Sequence, residues 1–184
     1  MGYLGHFWSL AVEEQFYIFF PFLILFIGKK YYLSLFYGMI AIAIAFRVYM
    51  VVTFPPEISV WGSYILTPSC LDCFALGGIL AYYKIYDPAK LEKLLNRKGS
   101  VVIAGLISIT LFYLLLYKIS IVIPAAFLRL SVGSFCFWVI GASASSNLGP
   151  NMKVFLHSRY LVYFGKISYG LYVYHHFMTS YLIN

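Results

Sequence analysis

The chain has 184 residues, of which 62% are hydrophobic, 21% are aromatic and only 10% are charged. Soluble domains are about 45–50% apolar and about 25% charged, so this composition excludes a water-soluble globular protein. It also excludes a disordered chain, which would be polar and poor in aromatic residues. The net charge of +7 does not require a nucleic-acid partner, because Lys and Arg collect in the cytoplasmic loops of membrane proteins. The composition predicts an integral membrane protein surrounded by the lipid bilayer.

Six stretches are long and apolar enough to cross a bilayer, which takes about 20 residues of helix. They predict an all-α fold, a polytopic transmembrane helix bundle of about six spans with almost no soluble part. In chain order the predicted spans are A at about 9–27, B at 31–54, C at 66–83, D at 101–117, E at 119–142 and F at 161–183.

The basic residues alternate from loop to loop. Lys29 and Lys30 follow span A, and Lys93 lies among five basic residues between spans C and D, whereas the loop between B and C holds only the acidic Glu57. Because cytoplasmic loops are rich in Lys and Arg, the A–B, C–D and E–F loops are predicted to be cytoplasmic. The start of span A and the end of span F are then predicted to face outward.

The start of span A carries a polar stripe on an apolar helix. Ser9, Glu13 and Tyr17 are spaced by four residues and share one helix face, while His6 and Trp8 precede the helix. One interpretation is structural, with Ser9 capping the helix and carboxylates favoured near its N-terminus. The other is chemical, because a carboxylate there can orient a hydroxyl, hold an imidazole or act as a base.

Three charged residues lie inside predicted spans. Arg47 is seven residues from the outward end of span B, and Asp72 is six residues from the outward end of span C. At about 1.5 Å per residue, both lie roughly 10 Å below the outer edge. Because buried charges in a membrane pair with one another, we predict an Arg47–Asp72 ion pair, which either clamps the two helices or also lines a site. Arg129, near the middle of span E, is predicted to face a polar cavity or an anionic ligand.

The last span carries a second polar cluster. Ser168, Tyr172 and His175 share one helix face at spacings of four and three residues, and His175 lies toward the outward side. A metal site needs more ligands than this cluster offers, so none is predicted. Cys70 and Cys73 lack the second pair that a zinc site uses and are interpreted as packing residues.

A family resemblance rests on three segments: HFWSLAVEEQFY at 6–17, TPSCLD with GGILA within 67–81, and GKISYGLYVYH at 165–175. The first is similar to the signature W-S-L-x-x-E-x-x-F-Y of the acyltransferase 3 family of multispan membrane enzymes. The others resemble that family's T-P-x-R-x-D…G-x-L-L-A and I-S-Y-G-L-Y-x-x-H helices. Together they extend over nearly the whole chain in the expected order.

The chain departs from the family pattern in several places. Cys70 stands where the family often has Arg, so a basic contact there is missing or has moved, with Arg47 as the candidate. Members of the family have early helices, one of which carries a histidine needed for transfer, and a closing helix at the end. This chain has no counterpart of the early helices before Met1 and none of the closing helix after span F. The resemblance therefore implies one partial acyltransferase domain over 1–184, which is expected to be inactive by itself.

The resemblance implies transfer of an acyl group, often acetyl, from cytoplasmic acyl-CoA to a hydroxyl of an extracytoplasmic glycan or lipid-linked saccharide, such as lipopolysaccharide or another polysaccharide. The expected location is the bacterial inner membrane, and acyl-CoA acts as a substrate with no bound cofactor. Glu13 would be the orienting or acid–base group, with Ser9 beside it and His6 as a poor substitute for the absent histidine. The residues expected to contact substrates are Trp8, Tyr17, Arg47, Asp72, Arg129, Ser168, Tyr172 and His175.

Two other classes remain open from the sequence. Intramembrane charges also suit a small transporter or a non-catalytic assembly subunit. A transporter should have interrupted helices at corresponding places in two halves, and the sequence has no such symmetry. The remaining alternative is an inactive fragment.

Overall fold

The computed structural model describes residues 7–96, 98–117, 121–145 and 150–183, with side chains described except at 98, 100, 101, 104, 150–152 and 175–183. These residues form helices joined by short turns and contain no strand, which confirms the predicted all-α fold. The helices are α1 Trp8–Phe26, α2 Tyr32–Thr53, α3 Pro56–Ile65, α4 Thr67–Tyr86, α5 Pro88–Leu95, α6 Lys98–Leu116, α7 Val122–Ala144, α8 Pro150–Leu156 and α9 Arg159–Ile183.

Helices α1, α2, α4, α6, α7 and α9 correspond to the predicted spans A to F, with ends that differ by a few residues. Helix α6 contributes a shorter apolar segment, Gly105–Leu116, and the full count of six spans stays a prediction. The described stretches that are long and apolar enough to cross a membrane are Trp8–Phe26, Lys29–Thr53, Pro56–Tyr86 and Val122–Ala144.

Prolines and one acidic side chain set the boundaries of the short helices. Pro56 begins α3, where its missing N–H costs no helical hydrogen bond. Leu66 is extended and separates α3 from α4, which has Pro68 in its first turn. The carboxylate of Asp87 caps α5 by accepting a hydrogen bond from the backbone N–H of Lys90 at 3.0 Å. The predicted B–C and C–D loops are therefore partly helical.

The centre of the bundle is the contact between α2 and α4, with α7 packed against both and α6 packed on α7. A small residue allows close approach in this contact, as in other membrane helix pairs, because Gly78 of α4 lies against the Phe36 ring of α2. Short helix α5 closes one end of the core, and the indole of Trp138 in α7 donates to the carbonyl of Leu95 at 2.7 Å. The largest group of buried residues in contact with one another consists of Phe36, Met39, Ala75, Ile79, Tyr83, Leu91 and Leu95.

Apolar side chains also cover the outside of the bundle. Leu25 and Phe26 at the end of α1 are 77% and 85% exposed, and aromatic residues of α9 are similarly open. A soluble monomer does not expose apolar surface on this scale, whereas a membrane helix presents such a surface to lipid. The exposed faces agree with an integral membrane protein.

Gly78 offers a direct test of the α2–α4 contact. A Cβ at this position would lie 2.4 Å from Cε1 of the buried Phe36 ring, so we expect Gly78→Ala to lower the free energy of unfolding by about 1–3 kcal/mol through overpacking. The matched control is Gly77→Ala, because a Cβ there meets nothing within 4 Å and Ala is the better helix former. Thermal unfolding of the purified protein in detergent measures both variants, and equal melting temperatures would contradict the packing.

Candidate active site

A cavity of about 640 Å³ lies between the N-terminal half of α1, the α3–α4 junction and α7. Its wall is mainly apolar with a few polar groups, which is the usual character of a small-molecule site. The polar and aromatic side chains that line it are Trp8, Ser9, Glu13, Arg47, Trp61, Ser63, Tyr64, Cys70, Cys73, Phe74 and Arg129. Among the described residues, no three His, Cys, Asp or Glu side chains lie close enough together to hold a metal ion.

The cavity brings together five of the residues that the sequence singled out: Trp8, Ser9, Glu13, Arg47 and Arg129. These residues come from three helices and are separated by up to 121 positions, as the numbers of the first and last show (129 − 8). Their common location is therefore a property of the tertiary fold.

Other predicted residues lie elsewhere. Tyr17 is 61% exposed and does not line the cavity, although it follows Glu13 by one helical turn. Ser168 is also exposed, and its hydroxyl donates to the carbonyl of Gly165 at 2.8 Å. His6 and the side chain of His175 lie outside the described residues.

Ser9 connects the first and last helices. Helix α1 begins at Trp8, the residue before it forms no side-chain cap, and Ser9 lies inside the first turn. The prediction that Ser9 caps the helix is wrong, because its Oγ hydrogen-bonds instead to the hydroxyl of Tyr172 in α9. This long-range bond places the two predicted polar clusters side by side.

Aromatic contacts hold α1 beside the cavity. The Trp8 ring lies 5.1 Å from the ring of Tyr64 in α3, and the Phe16 ring stacks on Phe74 of α4 at 3.9 Å. Offset and tilted ring pairs of this kind add to the energy of buried area. Since Glu13 lies between these two anchors along the helix, its backbone is fixed at the cavity wall.

The predicted ion pair between α2 and α4 is confirmed. Arg47 Nη2 donates to Asp72 Oδ2 at 2.6 Å, and the two residues are 1% and 0% exposed. The second oxygen, Asp72 Oδ1, accepts from the backbone N–H of Cys73 at 3.0 Å. Arg47 lines the cavity, whereas Asp72 does not and holds the guanidinium from the protein side.

Arg129 ties α7 to the break between α3 and α4. Its Nη2 donates to the Tyr64 carbonyl at 2.5 Å, and its Nη1 donates to the Ser69 carbonyl at 3.0 Å. Its guanidinium also lies 5.0 Å from the centre of the Tyr64 ring, within cation–π range. Arg129 Nη1 also lies 2.9 Å from Sγ of Cys70, so a basic side chain contacts the position where the family often has Arg.

The contribution of α3 to the cavity was not predicted from the sequence. Trp61, Ser63 and Tyr64 line the cavity but lie in a segment that was interpreted as the loop between two spans. A signal was present, because Pro56 in the first turn followed by the acidic Glu57 is a typical helix N-terminus.

An apolar helical bundle with a carboxylate and two guanidinium groups around one cavity defines an integral membrane protein with a candidate active site. The chain belongs to the acyltransferase 3 family, since the family model, described as an acyltransferase domain, matches residues 1–184. This match confirms the resemblance seen in the three sequence segments.

The relatives carry names of the same class. A Staphylococcus aureus (strain COL) protein that is provisionally named an O-acetyltransferase is 30% identical over 190 residues, covering 97% of this chain and 30% of the relative. O-acetyltransferase OatA of Staphylococcus aureus (strain NCTC 8325 / PS 47) is 28% identical over 196 residues, covering 98% of this chain and 31% of OatA. The chain thus spans about a third of the length of these relatives. No solved structure matches it.

The ion pair can be tested by a double-mutant cycle. We expect Asp72→Asn and Arg47→Gln each to lower the free energy of unfolding by about 3–5 kcal/mol, because each strands a buried charge. The double variant should be less destabilised than the sum, whereas strict additivity would contradict the contact. Unfolding in detergent is the measurement, and the exposed Glu92→Gln is the control, with an expected change within about 0.5 kcal/mol.

Proposed function

We propose that the protein is a membrane O-acetyltransferase that moves an acyl group, acetyl in the first instance, from cytoplasmic acyl-CoA to a hydroxyl of an extracytoplasmic glycan or lipid-linked saccharide. Family membership and the names of the relatives support acyl transfer. The observation that carries the assignment of the site is the convergence of Glu13, Arg47 and Arg129 on one cavity. The proposed location is the inner membrane of a bacterium.

Glu13 is the proposed acid–base group. It is the only carboxylate among the residues that line the described cavity, and its position corresponds to the glutamate of the signature segment. A carboxylate positioned there can accept the proton of the attacking hydroxyl. Ser9, one turn earlier, is held by Tyr172, so the proposed role of these two residues is to fix the start of α1 and with it Glu13.

The aromatic side chains of the cavity favour a saccharide acceptor. Trp61 is 50% exposed and lines the cavity, and the adjoining Trp8–Tyr64 pair is held rigid by Arg129. Flat apolar rings with a polar edge suit the apolar C–H faces of a sugar while leaving its hydroxyls free. The acceptor is therefore proposed to enter along α3.

Two basic loops favour a cytoplasmic donor side. The ammonium groups of Lys29 and Lys90 lie 5.8 Å and 5.1 Å from the rings of Tyr86 and Tyr83, respectively. These contacts bring the A–B and C–D loops to one end of the bundle. A basic end is the expected cytoplasmic end, and its charge also suits the phosphates of acyl-CoA.

Glu13→Gln tests the catalytic proposal. The amide keeps the shape of the side chain but removes its charge and its basicity, so we expect acyl transfer by the native protein to fall by about 10²-fold or more. The measurement is the transfer of radiolabelled acetyl from acetyl-CoA to saccharide in membrane vesicles, normalised to the amount of folded protein.

The matched control is Glu14→Gln. Glu14 is the next residue on the same helix, about 100° away round the axis, and it does not line the cavity. We expect this variant to transfer acetyl at nearly the parental rate. Parental activity in Glu13→Gln would refute the acid–base role, and equal losses in both variants would point to a general effect on α1.

The proposed orientation is tested by cysteine labelling. In Lys93→Cys the new thiol should react with a membrane-impermeant maleimide only after the cytoplasmic side is exposed, whereas in Glu57→Cys it should react from outside in intact cells. Labelling is compared with the unsubstituted protein, whose Cys73 and Cys136 are exposed. Reaction of Lys93→Cys from outside would reverse the orientation.

A further inference from the structure

Arg47 has one nitrogen without a partner. Its Nε donates to the Ala43 carbonyl at 3.2 Å and its Nη2 to Asp72 at 2.6 Å, but Nη1 has no hydrogen-bond partner among the described residues. The residue is 1% exposed. Buried donors are paired in the great majority of native structures, and an orphan donor on a residue that lines a cavity indicates that a ligand supplies the acceptor.

The direction of this donor is fixed. The guanidinium is planar, and two of its three nitrogens are held by groups on both helices of the central contact. Asp72 is itself held by the backbone N–H of Cys73. A donor that needs no reorganisation is what an enzyme uses to stabilise a charge that develops during a reaction.

The charge of the site selects the kind of ligand. Its charged side chains are Glu13, Arg47 and Arg129 on the wall and Asp72 behind it, so the formal charges of two acids and two bases cancel. A permanently anionic group, such as a phosphate, gains most where the surrounding charge is positive. A neutral carbonyl oxygen that becomes negative only in the transition state suits this balanced site better.

Building on the proposed function, we propose that Arg47 is a catalytic residue whose Nη1 donates a hydrogen bond to the carbonyl oxygen of the acyl thioester. The acceptor hydroxyl oxygen forms a bond to the carbonyl carbon, its proton passes to Glu13, and the carbonyl electron pair moves onto the oxygen held by Nη1. When this oxyanion re-forms the carbonyl, the carbon–sulfur bond breaks. The departing thiolate takes up the proton from Glu13, which leaves an ester, a free thiol and the original carboxylate.

Arg47→Lys separates this role from the ion pair. Lysine keeps one positive charge and can reach Asp72, but it has a single nitrogen and cannot also provide Nη1. We expect kcat for acetyl transfer from acetyl-CoA to fall by about 10²–10³-fold, the usual effect of removing one oxyanion donor. The KM for acetyl-CoA should change little, and the melting temperature in detergent should show that the protein is folded.

A second variant covers the case in which the lysine is poorly accommodated. Arg47→Met combined with Asp72→Leu removes the whole pair, and replacing a buried ion pair with apolar residues is often neutral for stability. This double variant should also be folded and should also lose transfer by at least the same factor. The matched activity control is Lys166→Met, an exposed cation that does not line the cavity.

The outcomes are distinct. Parental kcat in a folded Arg47→Lys or double variant would overturn the inference and would mean that Nη1 holds a water molecule only. A loss of transfer in exact proportion to a loss of folded protein would likewise overturn it in favour of a structural role. Absence of acetyl transfer by the unsubstituted full-length protein in its native membrane would refute the proposed function itself, and this result is distinct from a loss of transfer confined to the Arg47 variants.

Discussion

The buried pair of Arg47 and Asp72 is the interaction on which the rest of the structure depends. It joins α2 to α4 at the centre of the bundle, where both side chains are almost fully buried and each charge is tolerated only because of the other. The same pair leaves Nη1 of Arg47, a residue that lines the cavity, without a hydrogen-bond partner among the described residues. Both the stability of the fold and the proposed chemistry therefore depend on this one contact. A variant of Arg47 reports on the chemistry only if the protein stays folded.

The α3–α4 junction gives the site its shape. The chain leaves α3 at the extended Leu66, and Arg129 of α7 binds the carbonyls of Tyr64 and Ser69 on either side of this break. The Tyr64 carbonyl belongs to the last turn of α3, where it has no partner within the helix and needs one inside a membrane, and this guanidinium provides it. The junction in turn presents Tyr64 to Trp8 and so positions the start of α1.

The sequence predicted features that depend on composition or on local spacing. The lengths of the apolar stretches predicted the helices. The ion pair of Arg47 and Asp72 was predicted from their equal depth in neighbouring spans, because an unpaired charge is costly in a bilayer. Composition and local spacing do not reveal contacts between segments that are far apart in the chain. The position of Ser9 at the start of span A allowed a helix cap, but its partner is Tyr172, 163 residues away. Arg129 was predicted to face a cavity, but its hydrogen-bond partners were not predicted. They lie beside the break between α3 and α4, which the length of the apolar stretches does not reveal.

Two native thiols test whether the cavity between α1, the α3–α4 junction and α7 binds the acyl donor, as we propose. Cys73 lines the cavity, whereas Cys136 is exposed on α7 and does not line it. The measurement is the rate at which a small maleimide modifies each thiol, followed by mass spectrometry with and without acetyl-CoA. If the donor occupies the cavity, acetyl-CoA will slow the modification of Cys73 and leave that of Cys136 unchanged. Equal rates at Cys73 with and without saturating acetyl-CoA would contradict it.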